Sequence, residues 1–156
     1  MQSSSNESPN IRVIPPVVYL AAIFAGAALD SVLPVDLIPS RMRITLGPIL
    51  IVASIAVMPW VLRGFKRAKT PFDTRRAATT LIIHGVFRFS RNPGYLALIG
   101  LCLGVAVIMD SVWMLATIAL ATLYLDRVVI AAEERHLAAR FGDSYRQYKA
   151  RVRRWI

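Results

Sequence analysis

The ionisable chemistry of this chain is concentrated in Arg91-Asn92-Pro93-Gly94-Tyr95 and Glu133-Glu134-Arg135-His136, with a basic, aromatic run from Arg151 to Trp155. The first two groups bracket a segment that is otherwise almost wholly apolar. A charged group at a membrane is costly unless it pairs, reaches water or holds a ligand. Arginine and a helix N-terminus can hold a carboxylate. A glutamate can accept from an amino group or a hydroxyl, and the Tyr95 ring can face a cation. Polar residues of both signs at the two ends of one apolar segment therefore point to a site at the membrane surface.

The elements that must position these groups are helices. The chain has 156 residues, room for one domain. Its apolar share of 56% and mean hydropathy of +0.52 exceed what a soluble chain carries. Four stretches hold the excess, roughly Ile14–Leu29, Ile44–Leu62, Tyr95–Met109 and Val112–Ile130. These approach the ~20 residues of a full crossing, the third falling short, and their lack of polar faces argues against a soluble helical fold. The fold expected is an all-α integral membrane bundle of about four transmembrane helices with a cytoplasmic C-terminal helical extension. Met1 to Asn10 is Ser- and Asn-rich, and 1–12 is expected to be a disordered tail. With no basic cluster ahead of the first apolar run and Pro15-Pro16 opening it, a cleaved signal peptide is not expected.

The net charge is +10, and the 19 Lys and Arg are unevenly spread. Eight fall between Arg63 and Arg91 and eight between Arg127 and Arg154. The positive-inside tendency assigns both segments and both termini to the cytoplasm, of a bacterial inner membrane on this reading. Anionic lipid and topology account for such flanking charge, so a pI of 10.8 does not imply nucleic acid. Cys102, the lone cysteine, lies within the third stretch and reads as packing.

Local signals refine the elements. Pro48 and Pro59 predict a kink or early stop near Met58 in the second helix. Asn92 and Pro93 read as N-cap and first residue of the third. Asp110-Ser111 leaves only a tight turn before the fourth, bringing Arg91 and Glu133 back to one membrane face. Gly100 and Gly104, four apart, permit close helix contact. Gly142 suits a helix end, with Asp143 or Ser144 able to cap a short helix carrying Tyr145 and Tyr148. The two tyrosines read as interface anchors.

Leu81 through Leu96, containing Arg91, Asn92, Pro93 and Tyr95, together with Glu133-Glu134 through Trp155, resembles the isoprenylcysteine carboxyl methyltransferase family. That group of integral membrane methyltransferases also takes in phospholipid methyltransferase-like bacterial proteins. The match covers about residues 65–156, with the cofactor portion at about 81–156 of a single domain, 13–156. The resemblance implies S-adenosylmethionine in a cytoplasm-facing pocket and a lipophilic small-molecule or lipid substrate entering from the bilayer. It implies cofactor roles for Gly85, Arg91, Asn92, Pro93, Tyr95, Glu133, Glu134 and His136, with Glu134 and Arg151 carrying the catalysis, Arg151 near the acceptor. No metal is required, because proximity and alignment can carry a direct displacement.

Each motif alone has a plainer reading. Asn92-Pro93 can be only a helix start, Glu133-Glu134 a solvated face with local ion pairs, and Gly85 a turn. His84 reads as a surface residue. Asn92 stands where many family members have His, and Gly100 and Gly104 do not reproduce the Gly-x-Gly spacing of eukaryotic phospholipid N-methyltransferases. The acceptor is therefore either a carboxylate or a lipid amine. A non-enzymatic small transporter subunit or lipid-binding scaffold is the alternative.

Overall fold

A computed structural model of the protein describes residues 13–70 and 79–156. The expected tail at 1–12 lies outside them, as do residues 71–78. The protein is an all-α membrane protein, with no strand among the described residues. Among the described residues, five α-helices follow one another: α1 (Pro15–Val32), α2 (Ser40–Arg67), α3 (Pro93–Ile108), α4 (Val112–Tyr124) and α5 (Ala131–Arg151). A 3-10 turn, Gly85–Arg88, precedes α3, and a π-helical stretch, Leu125–Ile130, joins α4 to α5. Three runs, Pro15–Val32, Ser40–Arg67 and Val112–Arg151, are long and apolar enough to cross a membrane. α3 has 16 residues, about 24 Å of helix, and is a shorter apolar helix, as its apolar stretch suggests.

Local chemistry explains most boundaries. Pro15 and Pro16 open α1 and Pro93 opens α3, positions where no amide donor is lost. Ser111 caps α4 by accepting from the Met114 amide. Within α5, Gly142 takes φ 52° and ψ −122°, breaking the element into two arms where a helix end is expected. Of the kink or early stop expected near Met58, the stop does not occur: α2 runs through Pro59 to Arg67. A proline removes one amide donor, whereas ending the helix inside an apolar stretch would strand several.

The chain divides into two compact units, one of Val13–Ala56 with Tyr95–Asp126, the other including Val57–Gly94 and Arg127–Ile156. In the first, α1 lies along α4. Gly26 makes this possible, since a Cβ there would sit 2.5 Å from Met114 Cα. Tyr19, 1% exposed, hydrogen-bonds Thr122 across the same interface at 3.0 Å, and the Thr117 hydroxyl donates to the Ala22 carbonyl at 2.8 Å. Such polar pairs matter in lipid, where water offers no substitute. Gly100 and Gly104 do serve close packing, but against α2, where they meet Ser54, Ile51 and the Gly47 carbonyl. The outward side chains, such as Phe24 and Val52, are exposed and apolar, as lipid requires.

Asp110 does more than turn the chain. It is 6% exposed with φ 54°, and its carboxylate accepts from the Leu37 and Ile38 amides at 3.2 and 2.8 Å and from Arg43 at 3.3 Å. The loop after α1 is thereby held to the turn after α3, with the Trp113 indole donating to the Leu33 carbonyl at 2.7 Å. Asp110→Ala strands two amides and one arginine and is expected to cost about 3 kcal/mol. Asp110→Asn, which tolerates positive φ and keeps an acceptor, should cost less. Thermal unfolding in detergent reads both.

Candidate functional site

The second unit holds the polar cluster. Three segments build it: the turn Ser90–Asn92 ahead of α3, the two arms of α5, and the extended tail that follows Val152. The tail and the turn are tied through the backbone. The Arg91 amide donates to the Arg153 carbonyl at 3.0 Å, and the Ser90 hydroxyl to the Arg154 carbonyl at 3.1 Å. The Asn92 side chain donates to the same Arg154 carbonyl at 3.2 Å, while its amide donates to Ser90 Oγ at 3.1 Å. Tyr148 closes the arrangement, its hydroxyl donating to the Phe87 carbonyl at 2.7 Å.

Glu134 stands at the centre. It is 7% exposed and faces three cations. Arg91 Nη1 lies 3.1 Å from Oε1; Arg154 grips both oxygens, Nε at 3.0 Å and Nη2 at 2.8 Å; Lys149 Nζ reaches Oε2 at 3.5 Å. Arg91 also donates to the Tyr145 hydroxyl at 3.4 Å. The two-pronged Arg154 contact is the strongest geometry a guanidinium offers a carboxylate. Burial alone raises the Glu134 carboxyl, but the Arg154 hydrogen bond and the charges of Arg91, Arg154 and Lys149 outweigh it and hold the group below its usual range. Burial, then the charge of Arg140, pushes the His136 imidazole down, so it stays neutral at pH 7. Burial raises the Tyr145 and Tyr148 phenols, which remain protonated.

A carboxylate whose pKa is lowered by folding stabilises the fold above its ordinary value, near 4.5, and loses that contribution as pH falls through the lowered value. Acidification below about pH 4.5 is therefore expected to reduce the melting temperature of the wild type more steeply than that of Glu134→Gln. A thermal series from pH 6 to pH 3 in detergent measures the difference.

Of the residues proposed from sequence, Arg91, Asn92 and Glu134 are brought together. Pro93 is buried at the first position of α3, and Tyr95 follows in its first turn. Glu133 is half-buried beside Glu134. Gly85 adopts φ 65°, and a Cβ at that position would meet nothing within 4 Å, so its freedom serves the backbone bend. His136 is half-buried, and among the described residues neither its Nε2 nor the buried Arg91 Nε has a hydrogen-bond partner. Arg151 is not brought in: it is exposed, and its Nε donates to the Gln147 carbonyl of its own helix. Arg154 and Lys149 meet Glu134 instead. Tyr145 and Tyr148 are not interface anchors, being 2% and 5% exposed within the cluster. Their spacing of three on a short helix was the available signal, since it places both on one face.

An uncharacterized protein of Haemophilus influenzae is 50% identical to the chain over 34 residues, 22% of the chain and 54% of that protein. The match thus spans about half of that relative's length. No solved structure matches significantly. The sequence model described as phospholipid methyltransferase matches residues 42–144, well over half of the chain and inclusive of both the Arg91 turn and Glu134. The chain belongs to the phospholipid methyltransferase family.

Proposed function

We propose that this membrane methyltransferase-family protein transfers a methyl group from S-adenosylmethionine to a lipophilic acceptor, a carboxylate or a lipid amine, at the cytoplasmic face. The observation that carries the reading is Glu134, which lies with Arg91 inside the family match and is held buried and ionised by Arg91, Arg154 and Lys149. The donor set suits that cofactor, which carries an amino group, a carboxylate and a cationic sulfur. Arg91 Nε is an unused buried donor and His136 Nε2 an unused ring nitrogen.

When bound, S-adenosylmethionine supplies an electrophilic methyl group on its sulfonium. Arg91, with the N-terminus of α3 beginning at Pro93, holds the carboxylate. Glu134, kept anionic by its arginines, accepts from the amino group or the ribose hydroxyls, with Glu133 beside it. The Tyr95 ring faces the cation, and Gly85 and Asn92 shape the turn. Holding donor and acceptor in line supplies much of the rate. A carboxylate acceptor needs no base. For an amine, neutral His136 takes the proton better than Glu134, whose basicity its cations suppress.

The alternative is a lipid-binding scaffold or small transporter subunit without activity. One observation favours it: three cations already satisfy Glu134 without a ligand. Isothermal titration of detergent-purified protein with S-adenosylmethionine separates the two. Binding weakened by Glu133→Ala and Glu134→Ala is expected; no heat at millimolar ligand would leave the scaffold, and wild-type affinity in both variants would refute the site. Incubation with labelled cofactor and a total membrane lipid extract then identifies the acceptor.

A further inference from the structure

The Arg67 end of α2 carries four cations with no carboxylate partner among the described residues. They are Arg63, Lys66, Arg67 and Lys69, all exposed. Several other cations are answered internally: Arg43 by Asp110, Arg146 by Asp143, and Arg91, Lys149 and Arg154 by Glu134. Four exposed cations clustered at one helix end suit an anionic partner.

The geometry narrows that partner. Trp60, Arg63 and Arg67 recur at i, i+3 and i+7, and so share one face of α2. Trp60 is 61% exposed, and the Arg63 guanidinium carbon lies 5.3 Å from its ring centre. The apolar stretch Ile44–Leu62 has 19 residues, about 28 Å of helix, close to the ~30 Å hydrocarbon core. Trp60 thus falls at the interface, where indoles concentrate, and the two guanidiniums just beyond it at the depth of lipid phosphates. The helix end presenting them is held in place: Phe65 meets Phe87 edge-on at 5.7 Å, and Gly64 lets the Phe87 ring pack close.

We propose that Trp60, Arg63 and Arg67 form a binding site for the headgroup phosphate of an anionic phospholipid, with Lys66 and Lys69 adding long-range attraction. Two guanidinium forks one helical turn apart suit a phosphate, and the indole seats the glycerol and upper acyl region. The site is independent of methyl transfer and stands whether or not the protein is an enzyme.

Native mass spectrometry of the full chain, released from nanodiscs containing equal phosphatidylglycerol and phosphatidylcholine of matched acyl chains, tests the assignment. The wild type is expected to retain phosphatidylglycerol preferentially. Arg63→Gln/Arg67→Gln should lower that preference about fivefold per cation removed, whereas Arg41→Gln/Arg135→Gln should leave it near wild type. No preference in the wild type, an unchanged preference in Arg63→Gln/Arg67→Gln, or equal losses in both double variants would each overturn the site. It is overturned as well if a single-stranded oligonucleotide displaces the lipid from the wild type but not from Arg63→Gln/Arg67→Gln, since the occupant would then be a nucleic acid. If the double variant does not fold, the single substitutions are read by the same rule.

Discussion

Glu134→Ala is expected to weaken S-adenosylmethionine binding strongly and, with it, any methyl transfer. The same change should lower stability by about 3 kcal/mol, because removing one member of a buried ion pair leaves its partners uncompensated. Arg91 is the partner most affected: its side chain is 9% exposed, its Nε has no hydrogen-bond partner, and its Nη1 would keep only the 3.4 Å contact to Tyr145. Lys149 is 52% exposed and can turn to water at little cost. Glu134→Gln retains the volume but not the charge and should also bind weakly, which separates electrostatics from packing. Titration calorimetry and thermal unfolding on the same preparations give both readouts. A Glu134→Ala protein with undiminished binding and an unchanged melting temperature would show the cluster to be incidental.

The second large effect is expected far from the charged residues. Gly26→Val places a branched side chain where even a Cβ would lie 2.5 Å from Met114 Cα and 2.7 Å from its amide nitrogen. Backbone cannot step aside as a flexible side chain can, so α1 and α4 must separate. The Tyr19–Thr122 and Thr117–Ala22 hydrogen bonds would go with the interface. A loss of about 3 kcal/mol or more is expected, a large part of a typical folding free energy. Loss of the monodisperse peak in detergent gel filtration checks it. Gly94→Ala is the control, since its Cβ would meet nothing nearer than Val61 Cγ1 at 3.6 Å.

The helices were legible because lipid imposes length and apolarity together, so the four stretches could hardly be anything else. The start of α3 at Pro93 and the break at Gly142 were legible for a backbone reason: one residue lacks an amide donor and the other tolerates positive φ. The early stop that Pro59 allowed in α2 does not occur, because ending the helix in an apolar segment would leave backbone unpaired. That Arg154 is the residue of the basic run that meets Glu134 was not legible. Helical phase orders side chains only while the helix lasts, and the chain leaves α5 at Val152, so nothing local says which arginine turns inward. Asp110 was hidden for a related reason. A two-residue turn shows its brevity in sequence, but not the distant amides of Leu37 and Ile38 that its carboxylate collects.

The turn at residues 90–92 is fastened to the tail by carbonyl oxygens of residues 153 and 154 rather than by their side chains. What that fastening recognises is the course of the main chain, so the exposed side chain at 153 is free to drift among natural variants without loosening it. Position 154 has no such latitude. Any residue there would supply the carbonyl that anchors the turn, but only a guanidinium reaches both oxygens of Glu134 as this one does.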